Sequence, residues 1–442
     1  MDNDMLFCFK CLIEQPYVKA DAPEPVERDI LVEAYLQDDL RVDPGLLCNT
    51  HFLLILDISG SMDDKLEANK TKLKAVIEAA AHVIDGIKGQ DLISIITFTN
   101  TEKVFCWAEP TSSRESLKNR LGEIYNYPRG STNLAPALKK AAVKLQQLEN
   151  DKKDIATKLL ILTDGQIHDV ETCEPLAEEF HKNGIDIDTM GIGIDFRGED
   201  MEKLTSGFME KLENASQTRS VFERSLRTLQ NTIATKVKVE LDTTEGVEIR
   251  GIAKISPDIK LISHSTQVLS FENVDRNRRY AAVIRMLIDP APIGEKAILT
   301  CTLNFDIPKK DIIDESIERV IAVHFTNEQA KYREAPNGEV LHASTYYTIA
   351  MRAQEIQENS ENTDLIMRNL KLIINRLKKI GDFETMARWE AVRDDYIEKE
   401  EFSLEEYNKV SVSKSKTSSA YSALPPPEVH DLDDGFDDEL TW

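Results

Sequence analysis

Basic charge is in short supply. The chain holds 54 Lys and Arg against 78 Asp and Glu, leaving a net charge of -24 over 442 residues. A nucleic-acid surface draws its affinity from basic side chains that displace counterions from phosphates, so this balance opposes RNA or DNA binding. It opposes an anionic membrane surface for the same reason. Long apolar runs are also missing: no stretch approaches the roughly 18 to 20 residues that cross a bilayer. The opening residues, MDNDMLFCFKCLIEQ, are acidic and lack the basic segment and cleavage site of a signal peptide. The expected location is therefore cytoplasmic. Six cysteines are few for this length and fit reduced thiols rather than a disulfide framework. Cys8 and Cys11 have CxxC spacing, but no second pair follows, and on a strand they face opposite ways, which argues against a metal or redox role. No Walker A, GxSxG, HExxH or kinase signature occurs, and Gly191-Ile192-Gly193 lacks the third glycine of a dinucleotide loop.

What is present divides into segments. Residues 49–235 alternate short apolar runs with amphipathic stretches, the pattern of a mostly parallel sheet with helices on both faces. His51 to Leu56, Leu92 to Phe98, Lys158 to Leu162 and Ile185 to Met190 are the predicted strands, with Lys103 to Trp107 as an antiparallel edge. Leu73, Val76, Ile77, Ala80 and Ile84 mark one helical stripe. Residues 236–335 turn to short strands with Pro, Gly, Asn and Asp between them, which suggests a β-sandwich. Residues 1–48 are strand-like and too short to fold alone. Phe7 to Ile13, Ile30 to Tyr35 and Leu40 to Val42 would complete that sandwich, making the α/β unit an insertion in a β domain. Residues 340–410 read as helices over Thr345 to Ile356, Thr363 to Ile380 and Glu384 to Lys399, with Gly381 as a stop.

Residues 411–442 read as a disordered tail, Ser- and Lys-rich over Ser411 to Ser422 and then acidic. Glu428 to Glu439 carries seven acids, with Leu432, Phe436, Leu440 and Trp442 spaced through the end. Such a tail can dock on a basic, apolar groove of a partner, and Ser411 to Ser422 is an accessible kinase substrate.

The chemistry gathers where strands end. In an open parallel sheet, ligands bind at the carboxyl ends of strands. Asp57-Ile58-Ser59-Gly60-Ser61 follows the first strand, Asp164 ends another, and Gly130-Ser131-Thr132 opens a helix between them. Gly60 is expected to permit a tight turn. Two carboxylates and three hydroxyls are hard oxygen ligands for Mg2+, Mn2+ or Ca2+, and Mg2+ readily leaves a coordination position to water or a partner. The alternative is that Ser59 and Ser61 merely cap a helix and Thr132 merely serves a turn. His168, after the Asp164 turn, is the one nearby candidate for a hydrolytic base.

This order of motifs resembles the von Willebrand factor A domain, whose metal-ion-dependent adhesion site has an aspartate and two serines in a DxSxS run, then a threonine and an aspartate. Here those positions are Asp57, Ser59, Ser61, Thr132 and Asp164. The resemblance implies a Rossmann-like fold over 49–235 and a divalent ion, usually Mg2+, held by Ser59, Ser61 and Thr132 with both aspartates close by. It implies a non-enzymatic module that binds a partner protein's carboxylate through the metal. Without an export signal, the chain is similar to bacterial cytosolic adaptors, some encoded with Ser/Thr kinases and phosphatases or with AAA+ ATPases. Its layout is also similar to bacterial proteins like Ca-activated chloride channels. The competing readings are a metal-dependent hydrolase, a regulatory subunit of such a kinase, phosphatase or ATPase system, and an RNA-binding protein. The chain departs from the family at Phe208-Met209-Glu210-Lys211, where a Gly-Gly-aromatic strand is usual.

Overall fold

The computed structural model describes residues 6–151, 155–164, 167–193, 198–263, 265–359, 361–399 and 424. The acidic tail and the Ser- and Lys-rich segment of 411–442 lie outside the described residues apart from Leu424, as do residues 400–410.

The site depends on a six-stranded sheet ordered Met209–Leu212, Asp186–Ile192, Ile155–Thr163, Asn49–Asp57, Leu92–Phe98 and Glu102–Pro110. Neighbouring strands are parallel except for Glu102–Pro110, which returns antiparallel to Leu92–Phe98 at the edge. Asn49–Asp57 lies between Ile155–Thr163 and Leu92–Phe98 and is covered on both faces. Phe52, Leu54 and Leu56 pack with the helices Lys72–Gly86 and Ala215–Gln230. Leu53 and Ile55 pack with Ala135–Asp151 and Val170–Lys182. That two-sided burial is why the strand's sequence is nearly continuous in apolar residues. At the departure, Phe208 to Lys211, the chain enters a short parallel edge strand, Met209–Leu212, after which Asn214 caps Ala215–Gln230 by accepting from the Gln217 N–H.

The remaining strands form two five-stranded sheets. Phe7–Ile13 and Val26–Leu36 join Tyr280–Ile288, Val247–Ser256 and Lys260–Ile262, while Tyr17–Lys19 joins Ile312–Thr326, Gly294–Ile307, Thr232–Thr243 and Val268–Asp275. One apolar core lies between them, drawing Phe7, Val32 and Ile284 from the first sheet and Val239, Leu303 and Phe305 from the second. Leu40 to Val42, expected as a strand, is instead the end of a short helix, Asp38–Val42. Asp38 and Asp39 suit its first turn, and Arg41 bonds back to Asp38 and to the carbonyl of Arg276. Cys8 and Cys11 do point apart: Cys8 meets Tyr35, and Cys11 meets Cys301 in the core.

The outer face of the first sheet carries the helices Gly338–Glu358, Thr363–Ile380 and Phe383–Lys399. The first starts seven residues before its apolar stripe suggested, because Asn337 caps it through the Glu339 and Val340 N–H groups. Gly381, at φ +77°, ends the second. Among the described residues no helix is long and apolar enough to cross a membrane.

The α/β unit meets the β unit across a buried polar junction. Lys158 Nζ lies 3.2 Å from Asp188 and 3.7 Å from Asp186, and Asn273 Nδ2 donates to Asp186 and to the Thr157 carbonyl. Burial pushes Glu272 up to about 7, against Lys254, with Asp186 raising it further and Ser270 and Lys260 opposing. Burial likewise pushes Asp258 up to about 6; Asp188 adds to the rise, and Arg278, Arg224 and Lys158 oppose it. Carboxyls with raised folded-state values hold their protons more tightly folded than unfolded. Their stabilisation is present at low pH and is lost as pH rises through about 6 to 7. The urea midpoint is therefore expected to fall between pH 5.5 and pH 8, and Glu272→Gln to flatten that slope. A slope as steep in the variant as in the wild type would assign it elsewhere.

Candidate metal centre

The strand Asn49–Asp57 delivers Asp57 to the sheet's carboxyl edge, fully buried. Its Oδ1 accepts from the Ser59 N–H at 2.7 Å and its Oδ2 from the Thr163 hydroxyl at 2.6 Å. Burial raises the Asp57 carboxyl to about 6; these hydrogen bonds pull it back down, and Asp164 adds to the rise. The chain then turns through a 3₁₀ segment, Gly60–Asp63, for which Ser59 makes no side-chain cap. The serine hydroxyls serve one another instead. Ser59 Oγ and Ser61 Oγ are 3.1 Å apart, and Ser61 Oγ donates to Asp164 Oδ1 at 2.7 Å. Gly60 does not need to be glycine: its φ is not left-handed, and a Cβ there would meet nothing within 4 Å.

Three loops are laced together at this edge. The Gly60 N–H donates to the Gly130 carbonyl at 3.2 Å, and the His168 N–H donates to the Thr132 carbonyl at 3.0 Å. Asp169 fixes the start of the helix Ala135–Asp151 by accepting from the Leu134 and Ala135 N–H groups. Asp57, Ser59, Ser61 and Asp164 thus share one region of hydrogen-bonded side chains. Thr132, buried, is brought beside it by main-chain bonds. His168 is exposed and joins the site through its backbone.

The donor set fits a hard divalent ion. Hydroxyls freed from capping and turned toward carboxylates are the ligands such an ion takes. Among the described residues no group of three or more His, Cys, Asp or Glu is placed to hold a metal, so an ion here must use hydroxyl oxygens.

Two neighbours escaped the reading of the sequence. Thr163, the last residue of the strand Ile155–Thr163, donates its hydroxyl to Asp57. Lys72 places its ammonium on Asp164 Oδ2 at 2.7 Å. Its signal was present: Lys72 precedes Val76 by four, on the buried stripe of its helix.

The comparisons agree with this architecture. Residues 52–232 match the model of the von Willebrand factor type A domain. An uncharacterized protein of Synechocystis sp. is 24% identical over 291 residues, 63% of this chain; the match covers 66% of that relative, just under two thirds of its length. Among solved structures, a von Willebrand factor type A protein from Catenulispora acidiphila superposes with a TM-score of 0.69 at 18% identity, covering 89% of this chain and 91% of its own. The ArnB paralog VWA2 from Sulfolobus acidocaldarius gives 0.62 at 16% identity, covering 94% and 98%. The chain therefore carries a von Willebrand factor type A domain at residues 52–232, within a fold shared over most of its length with these two structures.

Proposed function

We propose that the chain is a non-enzymatic adaptor whose A domain binds a partner protein through a divalent ion, Mg2+ in the first instance. Ser59, Ser61 and Thr132 would hold the ion, with Asp57 and Asp164 beside it, in an intact metal-ion-dependent adhesion site. When bound, the ion supplies a Lewis-acidic position for a carboxylate on the partner. The observation that carries this reading is the run of oxygens from Ser59 Oγ to Ser61 Oγ to Asp164 Oδ1, with buried Asp57 bound to the Ser59 N–H, at the carboxyl edge of a parallel sheet.

We read the A domain as an insertion in a β-sandwich, with the helices over Gly338–Lys399 packed on the outer face of one of its sheets. The setting is a bacterial cytoplasm, where the acid excess disfavours nucleic acid and membrane and leaves a protein partner. The acidic tail, 428–442, is a second docking element for a basic, apolar groove.

The test is calorimetric titration of the full chain with Mg2+ and Mn2+, followed by affinity purification from its own host in Mg2+ and in EDTA. Binding of the ion, and partners lost in EDTA, are expected. Partners retained in full in EDTA would sink the adaptor reading. Metal-dependent turnover of phosphorylated or amide substrates that disappears in Asp57→Ala would put a hydrolase in its place.

A further inference from the structure

Lys72 places a positive charge inside the candidate metal centre. It is the first residue of the helix Lys72–Gly86, anchored by its own N–H on the Asp64 carbonyl at 3.0 Å. Its Nζ donates to Asp164 Oδ2 at 2.7 Å and lies 3.8 Å from Asp64 Oδ2. The Lys72 side chain is only 6% exposed, and that of Asp164 is 0%. The end of the neighbouring strand leaves room for it: at Gly193, φ +99°, a Cβ would sit 3.0 Å from Lys72 Cε and 3.2 Å from Nζ. Both Asp164 oxygens are thus committed, Oδ1 to the Ser61 hydroxyl and Oδ2 to the ammonium.

We infer that Lys72 is a tethered competitor of the divalent ion for Asp164. The inference rests on the metal-binding reading above. An ion that recruits Asp164 must displace the ammonium or share the carboxylate with it, against like-charge repulsion. Asp64, 67% exposed, gives the displaced ammonium a second anion on the solvent side. Lys72 therefore sets metal affinity below what the oxygen ligands alone would give. It also couples the ion to its partner: an incoming carboxylate offsets the excess positive charge, so ion and acidic partner each raise the other's affinity. The ammonium becomes a filter against holding a metal with no partner attached.

The test compares Mn2+ binding by the full chain, by Lys72→Met and by Lys72→Arg, using calorimetry at one fixed pH. Lys72→Met should bind Mn2+ roughly tenfold tighter or more, the effect of one unit charge on a divalent ion a few ångströms away even in a water-like dielectric. Lys72→Arg, which keeps the charge, should stay close to wild type. Equal affinity for Lys72→Met and wild type would overturn the inference and leave the metal site standing. No binding by any of the three would remove the metal site, and the inference with it. Should Lys72→Met fail to fold, amine acylation of the wild-type chain read by mass spectrometry decides the matter. Lys72 should be acylated several-fold faster with saturating Mn2+ than in EDTA, and an unchanged rate would overturn the inference.

Discussion

Asp57→Asn is expected to abolish most of the chain's response to Mg2+ while leaving the fold intact. Asp57 is fully buried, and its carboxyl is raised to about 6 chiefly by that burial. An asparagine keeps an acceptor for the Ser59 N–H and offers its amide to the Thr163 hydroxyl, so the local hydrogen bonds survive. The charge does not. Removing a group that orients and charges a metal's ligand shell costs about 10- to 100-fold in affinity. The metal-free chain should be as stable as wild type or more so, because a desolvated charge has been taken out of it. Thermal melts in Mg2+ and in EDTA check both halves. Wild type should gain about 2.7 kcal/mol of stability when the ion is at a hundred times its dissociation constant. The variant should gain only about 0.4 to 1.4 kcal/mol at the same concentration, and an equal gain would place Asp57 outside the metal's environment.

Lys158→Met is expected to have the largest effect on stability. The Lys158 side chain is 5% exposed and faces Asp188, at 0%, and Asp186, at 10%. Burial alone would lower its pKa, yet Asp188 and Asp186 together override that and raise it. Removing the cation leaves two carboxylates at the junction of the α/β and β units without their main counter-charge. Breaking a buried pair from one side costs about 3–5 kcal/mol, because the remaining charge is left uncompensated. Urea denaturation should show that loss. Adding Asp188→Asn should recover part of it, since the double variant buries one charge fewer. A double variant no better than Lys158→Met alone would show that packing, not pairing, makes Lys158 important.

The sheet was legible because burial on both faces leaves a direct trace. Phe52 to Leu56 and Leu159 to Leu162 are unbroken apolar runs, and few other structures call for them. The candidate site was legible because its aspartates and serines stand at or just after strand ends, where a parallel sheet collects ligands, while Thr132 lies in the loop before the helix Ala135–Asp151. Less could be read where a residue's partner is remote in sequence. Lys72 and Asp164 are 92 positions apart, and nothing in either neighbourhood names the other. Asp186 and Asp188 alternate with Ile185 and Ile187 as on an ordinary half-exposed strand; only the β unit packed over them makes that face interior. Leu40 to Val42 misled because three residues cannot separate a period of 2 from one of 3.6.

The pairing of Val26–Leu36 with Tyr280–Ile288 carries a consequence for synthesis. Ile30 finds its register partner in Ile284, about 250 residues later in the chain. At roughly 5–20 residues per second, a ribosome takes about 10 to 50 s to deliver that partner. Through that interval Val26–Leu36 has only Phe7–Ile13 beside it, and its other edge waits with Ile30, Leu31 and Val32 uncovered. The A domain, made in between, can fold meanwhile and bring its two ends together, Cys48 N–H onto the Thr232 carbonyl at 2.9 Å. In a growing chain it is then the clasp that delivers the late strands to the early ones, and the order of translation exposes that early edge to aggregation longest.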